Sequence, residues 1–394
     1  MQYRSDKKSG NQLSIMGFGC MRFPRNLTQI DINRTESLIV KAVEEGINYF
    51  DTAFAYGGSE LVLGQIVAKN NLRDKIFLAT KLPFTKCKTY NDFESLFQTQ
   101  LERLQTKSID YYLIHNIGDT HSWERLRALG IEKWIQEKKE SGRIRNIGFS
   151  FHGIHDEFLK LLDVYDWDFC QIQYNYINTN YQAGTVGLKR AAEKGLPVII
   201  MEPLLGGKLA TGLPRKAVHL FQAANRSWTP AAWALRWLWD QKEVTVVLSG
   251  MNSLTQLEDN IKTAQDAVPD MLTATERDTY ASVLKIIEAT YKVPCTGCNY
   301  CMPCPHNVNI PACFAAYNVS YTAGMVTGFT QYVTSTGLFH SQKNYAASQC
   351  KECGLCEKKC PQQIPISKSL KKVTKKMEPF WLEFVLNIYF KLRG

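Results

Sequence analysis

Between residue 13 and about residue 265, short β-branched or apolar runs alternate with longer segments of helical period, and eight such runs can be counted: 13–17, 47–51, 76–80, 111–115, 144–149, 169–173, 198–201 and 244–248. All but the first follow an amphipathic segment such as 35–45 or 123–140. A parallel strand needs a connection long enough to carry the chain back to the starting edge of the sheet, so this alternation predicts repeated βα units. Eight units are what closes a (β/α)8 TIM barrel. The chain has 394 residues, and a barrel of roughly 250 leaves room for a second module.

The second module announces itself by composition. The segment 273–290, opened by the capping pattern Thr273-Ala-Thr-Glu276, predicts one more helix leaving the barrel. After Pro294 the chain turns to cysteine, proline and glycine, passes through a helix-compatible middle over 310–343, and reaches a second cysteine run. The expected domains are therefore 1–292 and 293–394: an α/β barrel followed by a small α-helical, cysteine-rich domain.

Eight of the twelve cysteines fall in those two runs. The later one, Cys350-Lys-Glu-Cys353-Gly-Leu-Cys356-Glu-Lys-Lys-Cys360-Pro361, is C-x2-C-x2-C-x3-C-P at every position. Three closely spaced thiolates wrap one face of an iron–sulfur cube, and the fourth, turned away by its proline, is free to ligate another cube. The earlier run, Cys295-Thr-Gly-Cys298-Asn-Tyr-Cys301-Met-Pro-Cys304-Pro305, has two residues rather than three before its last cysteine. Together they resemble the bacterial-type ferredoxins, which implies two 4Fe-4S clusters. By that resemblance Cys295, Cys298, Cys301 and Cys360 hold one cluster and Cys350, Cys353, Cys356 and Cys304 the other, with Cys313 as the reserve ligand. C-x2-C knuckles also serve zinc, but runs of four ending in Cys-Pro favour the cube. Cys20, Cys87 and Cys170 stand alone and read as small buried hydrophobes.

Hydrophobic residues make up 45% of the chain and charged residues 21%, enough to build a large core. No apolar run follows the polar start at Met1, so a cytoplasmic location is expected. The formal charge of +10 would fall by about four on binding two cubes, each of charge 2+ held by four thiolates. Much of the remainder lies at Lys368, Lys371, Lys372, Lys375 and Lys376, and no basic-aromatic constellation occupies the long first part, so no nucleic-acid partner is expected. The stretch 379–394 is apolar but for Arg393 near its end and for Glu383, Asn387 and Lys391, which form a single helical stripe. Too short to span a bilayer, it reads as a helix packed on its own protein, with peripheral membrane contact or partner docking as the other reading.

Barrel enzymes carry their chemistry where strands end. Asp51 ends one run and leads through Thr52-Ala to Tyr56-Gly; Lys81 follows the next, and His115 ends the fourth. A phenol with pKa near 10 is a weak acid at neutral pH, and an adjacent ammonium would lower it. Lys81 is the expected source of that charge, with Asp51 holding Lys81 and His115 orienting a substrate carbonyl.

These residues, with Gln171-Ile-Gln173-Tyr-Asn, Glu202-Pro203-Leu204 and Gly250 to Asn260, resemble the aldo-keto reductase family over about two-thirds of the chain. The resemblance implies a catalytic tetrad of Asp51, Tyr56, Lys81 and His115, with Tyr56 as general acid or base while nicotinamide exchanges hydride with a small carbonyl or alcohol substrate. It places Ser150 and Gln173 at the nicotinamide carboxamide, Met201 at its face, and 249–260 at the adenine ribose and phosphates. The cofactor residues it suggests there are Gly250, Asn252, Ser253, Gln256, Asp259 and Asn260, where a helix N-terminus would favour phosphate. Where the family often has asparagine after the serine, this chain has Phe151-His152. The stretch also lacks the basic residues that usually grip a 2′-phosphate, leaving NADP and NAD both open.

Nicotinamide moves two electrons and a cube one, so joining them requires something that splits the pair. A bound flavin or a substrate radical would do so, and no sequence element specifies either. The expected function is an NAD(P)H-dependent oxidoreductase whose clusters exchange electrons with a ferredoxin-like partner. The other reading is a nicotinamide-binding redox sensor or regulatory subunit with structural or sensing clusters; the complete tetrad argues against it.

Overall fold

The computed structural model describes residues 1–379 apart from 154, 181, 323, 337 and 339–344. Eight parallel strands form the barrel: β1 (Met16–Gly19), β2 (Tyr49–Asp51), β3 (Phe77–Leu82), β4 (Ile109–Ile117), β5 (Ile144–Phe151), β6 (Phe169–Gln173), β7 (Val198–Met201) and β8 (Val244–Ser249). They pair in chain order, and β8 closes on β1 with Val247 opposite Met16. This is the (β/α)8 TIM barrel expected from the alternation.

Because side chains alternate across a strand, every second residue points into the barrel. Tyr49, Tyr111, Phe169, Ile199, Val246 and Leu248 fill it as a dry core. The rings of Tyr111 and Phe169 meet edge to face at 5.1 Å. Gly17 leaves room for Leu248, Val246 and Tyr49, since a Cβ there would lie 2.7 Å from the Leu248 side chain.

The first run begins later than its apolar pattern suggested. Leu13 and Ser14 belong to a hairpin of Tyr3–Ser5 with Gln12–Ser14, and β1 starts at Met16. Asn48 Oδ1 takes the Ser14 amide at 2.8 Å and Ser14 Oγ donates to the Met16 carbonyl at 2.7 Å, so side chains here replace the ladder. Leu13 packs with the residues that fill the barrel, while the buried Asp6 accepts from the Tyr111 hydroxyl at 2.8 Å.

By packing, the chain forms two units, the first of Met1–Leu204 and Ala231–Thr273, the second of Leu205–Pro230 and the chain from Ala274 onward. The composition change near residue 292 therefore lies inside the second unit. Helix Ala274–Thr290, expected as a helix leaving the barrel, packs with helix Arg215–Ala224 through Tyr280 and Phe221, 5.8 Å apart. Tyr291 donates to the Gly212 carbonyl, and Lys208 to that of Cys295. Helices Ile310–Thr322 and Met325–Thr336 occupy the helix-compatible middle, and helix Ile366–Met377 follows the second cysteine run. Their shared core includes Val308, Phe314, Tyr332, Leu370 and Val373. The helix expected over 379–394 lies, from residue 380, outside the described residues. Among those described, no helix is long and apolar enough to cross a membrane.

Candidate functional site

Asp51 closes β2, Lys81 lies one residue from the end of β3, and His115 sits near the end of β4. Register makes the first two neighbours, since Asp51 pairs with Ala79. Lys81 Nζ donates to Asp51 Oδ1 at 2.5 Å and to the Thr52 carbonyl at 2.8 Å. The other Asp51 oxygen accepts from Gln171 Nε2 at 2.9 Å. Lys81 is 1% exposed and Asp51 3%, so each charge depends on the other.

Tyr56 is brought to this pair by a turn. Its amide donates to the Ala53 carbonyl, the Ser59 amide donates to the Tyr56 carbonyl, and Gly58 supplies the left-handed conformation (φ 81°) that opens helix Ser59–Lys69. The Lys81 ammonium stands 5.0 Å from the Tyr56 ring centroid, and the His115 ring meets that ring edge-on at 6.0 Å. A buried network steadies β3 beneath: Glu60 accepts from Thr80 Oγ1 and Gln100 Nε2, both at 2.7 Å, and Gln100 also donates to the Lys81 carbonyl at 3.0 Å.

The phenol does not behave as the sequence suggested. Burial, followed by the charges of Asp51, Cys20 and Glu202, pushes the Tyr56 pKa well above its ordinary value. Lys81 was expected to lower it, but Asp51 is in direct contact with that ammonium, and the first of the charges acting on the phenol is the Asp51 carboxylate, which raises its pKa. Burial, then the Lys81 and His152 charges, depresses His115 to about 3, so its imidazole is neutral at physiological pH. His152 is lowered to about 4 by burial; its Nδ1 lies 3.1 Å from Gln182 Oε1.

The residues expected to hold the dinucleotide divide into two groups. Ser150 Oγ is engaged by the Asn116 amide at 2.8 Å. Gln173, wholly buried at the end of β6, has no hydrogen-bond partner for either amide atom among the described residues. A buried amide left bare costs about 1–3 kcal/mol per group, and a carboxamide offers the complementary donor and acceptor. That vacancy of partners fits a nicotinamide. Met201, half-buried, ends β7.

In the 249–260 stretch, Ser253 caps helix Leu254–Ala264 by accepting from the Gln256 amide at 3.3 Å, and Gln256 Oε1 accepts from the Asn252 amide at 3.0 Å. Asn260 Nδ2 ties the helix to β8 through Ser249 Oγ at 3.0 Å, and the Asp259 carbonyl accepts from Thr263. Gly250 lies against Arg22, whose side chain would be 3.3 Å from an added Cβ. This arginine, the last residue of the 3-10 turn Cys20–Arg22 after β1, is a cation that the reading of 249–260 alone did not find. Gln171 was missed as a partner of Asp51. Period-2 alternation could have found it, because it shares a strand face with Gln173.

In the second unit, Cys295, Cys298, Cys301 and Cys360 line one cavity with Ile310 and Phe314. Burial, then the neighbouring thiols of Cys295, Cys298 and Cys360, raises Cys301 to about 12. Burial raises Cys356 to about 11, with Glu357, Cys350 and Cys304 adding to the effect. The last cysteine of each run thus stands with members of the other run. Four sulfurs in an apolar cavity fit a cube, and Cys356 stands with Cys304 and Cys350. Among the described residues no three such ligands gather tightly enough for a single ion; a cube spreads its thiolates around a larger body. Cys313 is buried in the helical core, its thiol 3.8 Å from the Tyr345 carbonyl. Cys87 and Cys170 are buried as well; Cys20 is buried too, close enough to feel the Asp51 and Lys81 charges.

A closed parallel barrel with a buried ion pair at its strand ends defines a class of barrel proteins whose polar site lies on the C-terminal face. The chain belongs to the aldo/keto reductase family, whose model matches residues 15–274, and a 4Fe-4S dicluster domain matches residues 294–364. It is 27% identical over 256 residues to an aldo-keto reductase of Mycolicibacterium vanbaalenii, covering 64% of this chain and 82% of that one. It is 22% identical over 335 residues to aldo-keto reductase yakc of Schizosaccharomyces pombe, whose name carries NADP(+), covering 75% and 94%. The solved holo form of aldo-keto reductase AKR11C1 from Bacillus halodurans shares 25% identity at a TM-score of 0.57, over 72% of this chain and 96% of that one. An oxidoreductase fused to an iron–sulfur domain follows from the two families together.

Proposed function

We propose that the barrel transfers hydride between NADP or NAD and a small carbonyl or alcohol substrate, with Tyr56 exchanging a proton with the substrate oxygen. The observation that carries this reading is the buried Lys81–Asp51 pair set 5.0 Å from the Tyr56 ring. A pure sensor has no need of a proton donor held this way. When bound, the reduced nicotinamide supplies the hydride. The chain's own residues do the rest. Gln173 and Ser150 would hold the carboxamide, and Met201 would lie at the face of the ring. Gly250, Asn252, Ser253, Gln256, Asp259 and Asn260 form the phosphate and adenosine end, with Arg22 adding positive charge. The NADP(+) in the name of the yeast relative favours NADP.

Neutral His115 donates a hydrogen bond to the carbonyl oxygen and orients it. Tyr56, held protonated by its raised pKa, gives that oxygen its proton as hydride arrives at carbon, and Lys81 lies close to the resulting phenolate. Alcohol oxidation runs the same proton in reverse.

Cys295, Cys298, Cys301 and Cys360 would hold one cluster, and Cys304, Cys350, Cys353 and Cys356 the other; when bound, these supply one-electron exchange. We read residues 293–394 as the electron-relay module and 1–292 as the hydride-transfer module. A bound flavin would reconcile one- and two-electron chemistry. Iron–sulfur thiolates suit a reducing compartment, which favours the cytoplasm.

The test is anaerobic. The iron-loaded chain is given NADPH or NADH with a broad aldehyde and ketone panel while cluster absorption and paramagnetic resonance are followed. Turnover that Tyr56→Phe abolishes, with nucleotide binding retained, is the expected result. Tight nucleotide binding without turnover of any substrate would favour the redox sensor.

A further inference from the structure

Between Cys350 and Met377 the sequence holds eight lysines against two glutamates. Helix Ile366–Met377 packs beside the second cysteine run. Lys371 Nζ bonds Glu352 Oε2 at 2.7 Å, one residue from Cys353, and Glu357 Oε1 accepts the Ser367 amide at 2.8 Å. Lys368 and Lys375 lie three residues before and four after Lys371, so all three share the helix face turned toward the cysteine loop. Lys372 stands beside them, and all four are exposed. On the loop itself Lys351, Lys358 and Lys359 are exposed, as is Cys353. Leu355, two residues on, is 49% exposed.

A cluster ligand at the surface, an apolar side chain beside it and a surround of lysines together make an electron-transfer contact of positive sign. The geometry points to this face as the docking site of a small acidic one-electron carrier protein. The inference rests on the relay function proposed above and deepens it by naming the surface and the partner class. Each encounter oxidises the reduced carrier by one electron and reduces the Cys350-run cluster by one; no bond is made and no proton moves. Charge complementarity of this kind raises encounter rates about 10–1,000-fold and fades with salt. An anionic bilayer fits less well. The apolar side of the helix is already spent on its own core through Ile366, Leu370, Val373 and Met377, which leaves it nothing to insert.

The experiment uses the full iron-loaded chain, with an acidic plant-type 2Fe-2S ferredoxin as probe, and measures affinity and the rate of one-electron exchange. Expected for the native chain is tight binding at ~0.01 M salt, where the Debye length is ~30 Å, weakening about tenfold or more at ~0.15 M, where it is ~8 Å. Combining Lys358→Glu, Lys359→Glu, Lys372→Glu and Lys375→Glu should lower low-salt affinity and exchange rate about tenfold or more and remove the salt dependence. Iron content, sulfide content and NADPH-dependent carbonyl turnover should be unchanged. If the variant fails to load iron, the salt dependence of the native chain still decides the matter. Unchanged affinity in a loaded variant, or salt-independent binding by the native chain, overturns the docking site. So does binding to phosphatidylserine vesicles through these lysines with none to the ferredoxin. Docking without electron exchange would sink the relay reading and leave the surface standing. Cluster reduction by methyl viologen and NADPH, with no ferredoxin binding, would do the reverse.

Discussion

In the barrel the polar side chains at the strand ends already satisfy one another. Lys81, Asp51, Thr52 and Gln171 bond one another, as do Glu60, Thr80 and Gln100, and among the described residues the Gln173 amide is left bare. In the second unit Cys295, Cys298, Cys301 and Cys360 line one cavity, and the apolar core beside them is much the smaller of the two. One region is organised by its own hydrogen bonds. The other is organised around groups that must be supplied. Barrel stability should therefore be indifferent to iron, and stability of the second unit should depend on it, because binding energy at such sites is largely folding energy.

The sharpest way to break that contrast is to remove the iron. Chelation under reducing conditions should strip hydrogen-exchange protection from helices Ile310–Thr322 and Ile366–Met377 while β4 keeps its own; equal protection in both states would show the second unit to be self-sufficient. Next in size is Tyr56→Phe, expected to lower carbonyl turnover by about 10²–10⁴-fold at unchanged thermal stability, read by steady-state kinetics and calorimetry. Lys81→Met strands a buried carboxylate and should cost about 3–5 kcal/mol in denaturant unfolding, whereas adding Asp51→Asn should recover much of that loss. Additive losses in the double variant would mean that the pair is not coupled as its geometry implies.

pH sharpens the account of the phenol. With His115 neutral down to about 3 and Tyr56 raised, the kcat/KM for carbonyl reduction should be level between about pH 5 and about pH 9. Alcohol oxidation, which needs the phenolate, should climb through the alkaline range. Stability has the opposite dependence on acid. His115 and His152, at about 3 and about 4 in the fold, remain neutral while their unfolded forms, near 6.5, take up protons. Their contribution is present above about 6.5 and is lost as pH falls toward those folded values. The smallest effect belongs to Gln173→Leu. It should raise thermal stability by about 1 kcal/mol, by removing bare polar atoms, while weakening nucleotide binding about tenfold; a loss of stability would show that the amide has a partner in the protein.

Much of the architecture was legible in periodicity. Each of the eight apolar runs overlaps a barrel strand, since burial on both faces leaves the same local signature wherever it occurs. The first run misled by about three residues because Leu13, as apolar as any strand residue, serves the hairpin. Residues 205–230 carry no local mark of the unit they join; the packing of Phe221 on Tyr280 and the bonds of Gly212 to Tyr291 and of Lys208 to Cys295 assign them. Spacing likewise marked both cysteine runs, but the meeting of Cys360 with Cys295, Cys298 and Cys301 required the chain to return across nearly sixty residues.

The sequence by itself determined the repeat that makes a barrel, the thiol spacing that suits cubes, and the residue types able to move a proton. All three are local properties, written in neighbours three, four or a few residues apart. Tertiary structure decided how those groups behave. Gln171 reaches Asp51 across 120 positions, the Asp51 carboxylate holds the Lys81 ammonium that was expected to acidify Tyr56, and burial, followed by that carboxylate, raises the phenol pKa. Electrostatic energy depends on distance through space and on the water excluded along the way, and neither quantity exists until the chain has folded.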